Sequence, residues 1–222
     1  MKLFKNIKKW LENQAHLFYL FLLILIVPNI ILCFTEPMPV VAKVCNVLLP
    51  FAFYYLLMTL SRDCGKMFWI LFLFIFFGAF QIVLLYLFGQ SIIAVDMFLN
   101  LVTTNSSEAM ELLDNLVPAL VSVIILYIPA LILAAISIIK KRKLSLEFIR
   151  RERDKAWIAL LIGFISLGAA YGLDKRYELK SDLYPANVCY NVALAFQRNA
   201  QTRTYHRTSC LLYTSDAADD TP

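Results

Sequence analysis

Apolar residues run almost unbroken through five stretches of this 222-residue chain: Leu17 to Phe34, Val40 to Leu60, Met67 to Phe88, Leu116 to Ile139 and Ala156 to Leu173. Runs of roughly 18 or more apolar residues mark helices that cross a bilayer rather than helices buried in a soluble core. At about 1.5 Å per residue each run can span the ~30 Å hydrocarbon layer. The pattern predicts an all-α integral membrane bundle of five transmembrane helices over residues 1–175. Pro28, Pro50, Pro118 and Pro129 fall within or beside the runs. Neighbouring helices can satisfy the carbonyls that these prolines free, so kinks are expected rather than breaks. The first run is too long for a removable signal peptide and lacks a small-residue cleavage site.

Composition agrees, with 60% of residues hydrophobic. Charge then supplies orientation. With the N-terminus inside, the inner segments hold Lys2, Lys5, Lys8 and Lys9, then Arg62 and Lys66, then eight basic residues from Lys140 to Lys155, whereas the outer loops hold only Lys43. That bias places the N-terminus in the cytoplasm and the segment after Leu173 outside. The net charge of +5 reflects this topology. Lys140-Lys-Arg-Lys143 and Arg150-Arg-Glu-Arg153 read as stop-transfer and lipid-headgroup clusters, with no nucleic acid required. A small-residue stretch from Gly163 to Gly172 suits close helix packing.

The five cysteines form no C-x-x-C pair, and Cys33, Cys45 and Cys64 lie in or beside apolar runs, where core packing accounts for them. His16 and His206 stand at opposite ends of the chain without a partner at ligand spacing, so no metal site is expected.

One polar window stands out. Asn100, Thr104 and Glu108 recur at intervals of four, within a segment from Gly89 to Asn115 that has no Lys or Arg but holds Asp96, Glu108, Glu111 and Asp114. Four-residue spacing can align an amide, a hydroxyl and a carboxylate on one helix face. On the outer membrane surface such a face can hold a zwitterionic headgroup, with the carboxylate facing an ammonium and the amide and hydroxyl facing a phosphate. A second reading is local: Asn105 and Glu108 match a capping box, which starts a helix near Ser106 and breaks the face. Asn105-Ser-Ser107 has the form of a glycosylation sequon, a false lead unless the organism glycosylates such sites.

The stretch from Ser91 to Leu113, with Asn100, Thr104 and Glu108 inside it, resembles the signature of the membrane domain of phosphoethanolamine transferases. Asp182-Leu-Tyr-Pro-Ala-Asn-Val-Cys-Tyr-Asn191, continuing to Tyr205, is similar to that family's linker. The resemblance implies a five-span domain of a bacterial inner membrane and a periplasmic linker over 176–208. It implies phosphatidylethanolamine as donor and lipid A or a lipopolysaccharide-core sugar as acceptor, the modification behind polymyxin resistance. It also implies that Asn100, Thr104 and Glu108 contribute to the donor pocket. Within the linker, Tyr184, Val188, Val192 and Phe196 suit an interfacial helix, followed by Arg198, Arg203 and Arg207; a disordered basic tail is the other reading.

Intact members of the family continue into a zinc-dependent domain of the sulfatase type, in which the threonine of a Gly-Glu-Thr motif is the nucleophile. A zinc ion there stabilises the alkoxide and the developing phosphoryl charge. This sequence has no Gly-Glu-Thr and too few ligands for zinc, so no catalytic or metal residue is assigned and the recorded chain is expected to be inactive alone. Residues 209–222 are expected to be disordered and of no biological origin. Cys210-Leu-Leu-Tyr-Thr-Ser-Asp-Ala-Ala-Asp219 resembles a translated sequencing adapter.

Two other functions stay open. The chain reads also as a small non-enzymatic lipid-binding or scaffolding protein. A transporter fragment is disfavoured because Glu36, Lys43, Arg62, Asp63 and Lys66 lie in loops or at run ends.

Overall fold

The computed structural model describes Trp10 and residues 12–88, 106–198 and 200–201, without the side chains of 81, 84–88, 106–116 and 181. Among the described residues the chain is all-helical, with no strand. Its elements are α1 (Gln14–Thr35), α2 (Val40–Met58), α3 (Cys64–Ile70), α4 (Phe72–Phe88), α5 (Ser106–Ile139), α6 (Leu146–Leu173), the short α7 (Leu179–Asp182) and a helix α8 over 186–198.

Among the described residues, four segments are long and apolar enough to cross a membrane: Gln14–Thr35, Val40–Met58, Val117–Ile139 within α5, and Leu146–Leu173. The third predicted run, Met67 to Phe88, is divided at Leu71, whose ψ of 10° departs from the helix only locally. Backbone bonds from Leu71 N–H to the Met67 carbonyl and from Ile75 N–H to the Leu71 carbonyl, at 3.0 and 3.2 Å, keep α3 and α4 nearly in line.

The start of α6 also departs from the sequence reading. Ser145 caps the helix by accepting the Phe148 N–H at 3.1 Å, so the helix begins ten residues before Ala156, at Leu146. The cluster Arg150 to Arg153 therefore rides on a helix. At the other side of that connection α5 ends in a left-handed residue, Lys141, at φ 50°. The Arg142 N–H there closes on the Ser137 carbonyl at 3.1 Å. This is the closure glycine usually provides.

Contacts fix the packing order. Gln14 Oε1 accepts from Ser137 Oγ at 2.8 Å and from Cys64 Sγ at 3.4 Å, joining α1, α3 and α5. Leu144 and Arg62 clamp two connections together through the Leu144 N–H to the Arg62 carbonyl at 2.8 Å and Arg62 Nε to the Leu144 carbonyl at 2.9 Å. These contacts define a basic end of the bundle; Thr35, Val40 and Leu173 mark the far end. The core between them is built on Phe18, Phe21, Tyr54, Met58 and Phe68, with Phe21 and Phe68 stacked at 4.4 Å between centroids. Outside, large apolar side chains face away from the protein along α5 and α6, Ile125 being 69% and Leu161 62% exposed. A broad apolar exterior of this kind belongs in lipid.

Small residues set the closest approaches. A methyl group at Gly65 would lie 2.5 Å from the Ala134 carbonyl oxygen and 3.1 Å from Ser137 Cβ. Within the small-residue stretch, Gly163 sits against Leu49, whereas Gly168 faces open space. Overpacking a close contact costs about 1–3 kcal/mol. Gly65→Ala is therefore expected to lower thermal stability in detergent by that order, while Gly168→Ala leaves it unchanged or slightly raised. Equal effects from the two would contradict the packing described.

Candidate functional site

The far end of the bundle holds a buried polar network, and its origin is a proline. Pro50 has no N–H, so the carbonyl of Asn46, four residues earlier in α2, loses its helical donor. Asn29 Nδ2, from α1, donates to that carbonyl at 3.0 Å. The second hydrogen of the same amide goes to the Tyr184 carbonyl at 2.8 Å. Both donors of Asn29 are thereby used, one to a neighbouring helix and one to the segment that follows the last long helix.

Asn46 repeats the arrangement with its own side chain. Its Nδ2 donates to the Asp182 carbonyl at 2.8 Å and reaches Met38 Sδ at 3.4 Å, while its Oδ1 accepts from the Tyr177 hydroxyl at 2.8 Å. Tyr184 in turn donates its hydroxyl to the Phe74 carbonyl of α4 at 2.7 Å. Gly78, one turn further along α4, makes room: a Cβ there would lie 2.9 Å from Pro28 Cγ, 3.0 Å from the Tyr127 hydroxyl oxygen and 3.2 Å from that of Tyr184. Segment 174–198 is thus held against α1, α2 and α4 by buried amides and phenols.

Apolar contacts reinforce the docking. Tyr184 and Val188 pack on Leu32 with Phe77, Phe80 and Val192, and Tyr177 and Leu183 pack with Ala42, Cys45, Leu49 and Ala170. The side of α8 carrying Val188 and Val192 faces the bundle, whereas Phe196 is 73% exposed.

Several buried polar atoms in this region have no hydrogen-bond partner among the described residues: Asn29 Oδ1, the hydroxyls of Tyr54 and Tyr127, and both amide atoms of Asn187. Each costs roughly 1–3 kcal/mol unless a water or a polar ligand supplies the bond. Chemically the site offers neutral donors and acceptors, suited to hydrogen bonding and not to proton transfer. Among the described residues no three His, Cys, Asp or Glu side chains come together as metal ligands.

Of the residues singled out in the sequence, Asn100, Thr104 and the capping candidate Asn105 lie outside the described residues. The backbone at Glu108 belongs to α5. Helices α1 and α5 run antiparallel, since Gln14 meets Ser137 and Pro28 lies beside Gly78 and Tyr127. The Ser106 end of α5 therefore points toward the far end, where segment 174–198 docks. Comparison with protein-family models, curated proteins and solved structures gives no match. Sequence reasoning passed over Asn29, Asn46, Tyr177 and Asn187, and gave Tyr184 only an apolar, interfacial role. Two neutral amides within apolar runs, one of them four residues before a proline, were the signal that could have found them.

A second polar cluster lies at the basic end. Glu152 of α6 is fully buried and accepts from the Tyr55 hydroxyl, from Arg151 Nε at 3.1 Å and from Lys155 Nζ at 3.0 Å. Sequence reasoning placed it in a surface cluster; the Ser145 cap turns it inward.

Removing the amides should release the docked segment. Asn46→Leu is expected to speed proteolysis between residues 174 and 198 about five- to tenfold, from the loss of roughly 1–1.5 kcal/mol of hydrogen bonding. Tyr177→Phe should have a smaller effect. Burial pushes the hydroxyls of Tyr177 and Tyr184 above the ordinary phenol value. Once released, they ionise at about 10. Docking is therefore complete below that pH and weakens above it, because only the released state gives up the proton. Proteolysis that does not accelerate between neutral and strongly alkaline pH would contradict this linkage.

Proposed function

We propose that this chain is the membrane-embedded part of a phosphoethanolamine transferase, holding the donor lipid at the outer face of a bacterial inner membrane. The reading adds a fifth crossing to the four apolar helices. Residues 64–88 are helical apart from Leu71, and 25 such residues extend ~37 Å, enough for the hydrocarbon layer. Gly65 lies beside Ala134, and Gly78 beside Tyr127, so α3 and α4 together run antiparallel to the part of α5 between Tyr127 and Ala134. Five crossings put the N-terminus and segment 174–198 on opposite sides, as the distribution of Lys and Arg requires.

The observation that carries the reading is the four-and-four spacing of Asn100, Thr104 and Glu108. The position of Glu108 supports it. Glu108 lies nine residues before Val117, where the apolar part of α5 begins, which is ~13 Å along the helix axis. A carboxylate at that height is at headgroup level. In this proposal Glu108 pairs with the donor ammonium, while Asn100 and Thr104 donate hydrogen bonds to its phosphate. Nucleophile and metal belong to the catalytic part of such an enzyme; this chain binds and orients the donor. Segment 174–198, fastened to the bundle, would be the rigid lead toward that part.

The same fastening also favours a second reading, a self-contained lipid-binding or scaffolding protein. The reading frame beyond codon 208 separates the two, since only a transferase requires a Gly-Glu-Thr downstream. The donor site is tested on the chain itself, in nanodiscs of equal phosphatidylethanolamine and phosphatidylcholine. Glu108→Gln should reduce retained phosphatidylethanolamine roughly two- to fivefold, the range of an exposed ion pair, with helicity unchanged. Equal retention by the variant and the parent would remove Glu108 from the site.

A further inference from the structure

An apolar groove of about 340 Å³ opens on the outside of the bundle, lined by Tyr19, Leu22, Leu23 and Ile26 of α1 and Phe51 and Tyr55 of α2. The spacing explains it. Positions 19, 22, 23 and 26 share one face of a helix, as do 51 and 55, and the two faces form a channel ~10 Å long between the helices. Leu23 is 55% and Tyr19 43% exposed.

The groove has a polar end. Tyr55, in its wall, donates to Glu152, and Glu152 is bridged to Arg151 and Lys155. Glu152 is wholly buried, but the side chains of Arg151 and Lys155 are 63% and 53% exposed. One carboxylate against two cations leaves a net positive charge. Arginine has five N–H donors and lysine three; each gives one to Glu152. Both cationic side chains are otherwise largely exposed, and the Arg151 guanidinium is steadied 5.5 Å above the Phe148 ring. Glu152 thus fixes two cations at the mouth of an apolar channel without neutralising both.

From this we infer that the basic end carries a binding site for an anionic phospholipid, with an acyl chain in the groove and its phosphate held by Arg151 and Lys155. Charge complementarity selects this occupant. Guanidinium and ammonium groups suit a phosphate oxygen, and the apolar channel suits a tail leaving that phosphate. The site is separate from Glu108, which lies toward the other end of the bundle, and does not depend on the transferase reading.

The test reconstitutes the full chain in nanodiscs of equal phosphatidylglycerol and phosphatidylcholine, then counts the lipids retained after detergent extraction by native mass spectrometry. Retained lipid should be enriched in phosphatidylglycerol about fivefold or more, the effect of one basic residue near a charged membrane. The double variant Arg151→Gln/Lys155→Gln should retain both lipids equally. Lys140→Gln/Lys141→Gln, which removes the same charge elsewhere at that end, should keep the enrichment. Leu23→Trp, at an exposed position, should fill the groove and lower phosphatidylglycerol retention without unfolding the chain. Parental retention that matches the mixture would overturn the proposal. So would enrichment that survives the Arg151/Lys155 change, or that falls as far with the Lys140/Lys141 change. Should the Arg151/Lys155 variant fail to fold, undiminished retention by the Leu23→Trp variant overturns it.

Discussion

A carbonyl without a donor organises the far end of this bundle. Pro50 takes the helical hydrogen bond from the Asn46 carbonyl, and in an apolar surrounding such a group must find another partner. Asn29 supplies one hydrogen, and its other hydrogen then reaches beyond the long helices to the Tyr184 carbonyl. Hydrophobic burial does little to hold helices together in lipid, whose tails are as apolar as leucine. Directional polar contacts and close packing take over that role. The Asn29–Asn46 pair provides the first, Gly65 against Ala134 and Gly163 against Leu49 the second.

The two ends of the bundle use polar chemistry differently. At the far end the groups are neutral, and they tie segment 174–198 to α1, α2 and α4. At the basic end a fully buried carboxylate gathers an arginine, a lysine and a tyrosine. Neutral amides suit a permanent joint, since they need no counter-charge. A carboxylate with two cations keeps charge available to something outside. In the proposed orientation the first end faces the donor headgroup and the linker, and the second faces anionic lipid on the inner side.

Much of the architecture was legible because lipid imposes a simple rule: apolar runs of membrane length become helices. Each of the four described segments able to cross a membrane overlaps a predicted run. The rule says nothing about single-residue interruptions, so the break at Leu71 was not visible. It also leaves the start of α6 unmarked. The run of apolar residues begins at Ala156, but helix formation follows the Ser145 cap, and a charged first half of a helix does not register as apolar. Glu152 was hidden for the same reason. The polar joint was missed because Asn29 and Asn46 are uncharged and isolated in sequence; only the fold brings them to Tyr177, Asp182 and Tyr184, more than 130 residues away.

The claim on which the far end depends is that segment 174–198 is part of the bundle and not a tether leaving it. Hydrogen exchange of the chain in nanodiscs addresses this directly through the backbone amides of Leu183 and Asn187, which donate to Leu179 and Leu183 at 3.3 and 2.9 Å. The account predicts protection of these amides comparable to that of buried positions in α1. Exchange at the rate of an unstructured peptide, with α1 still protected, would contradict it.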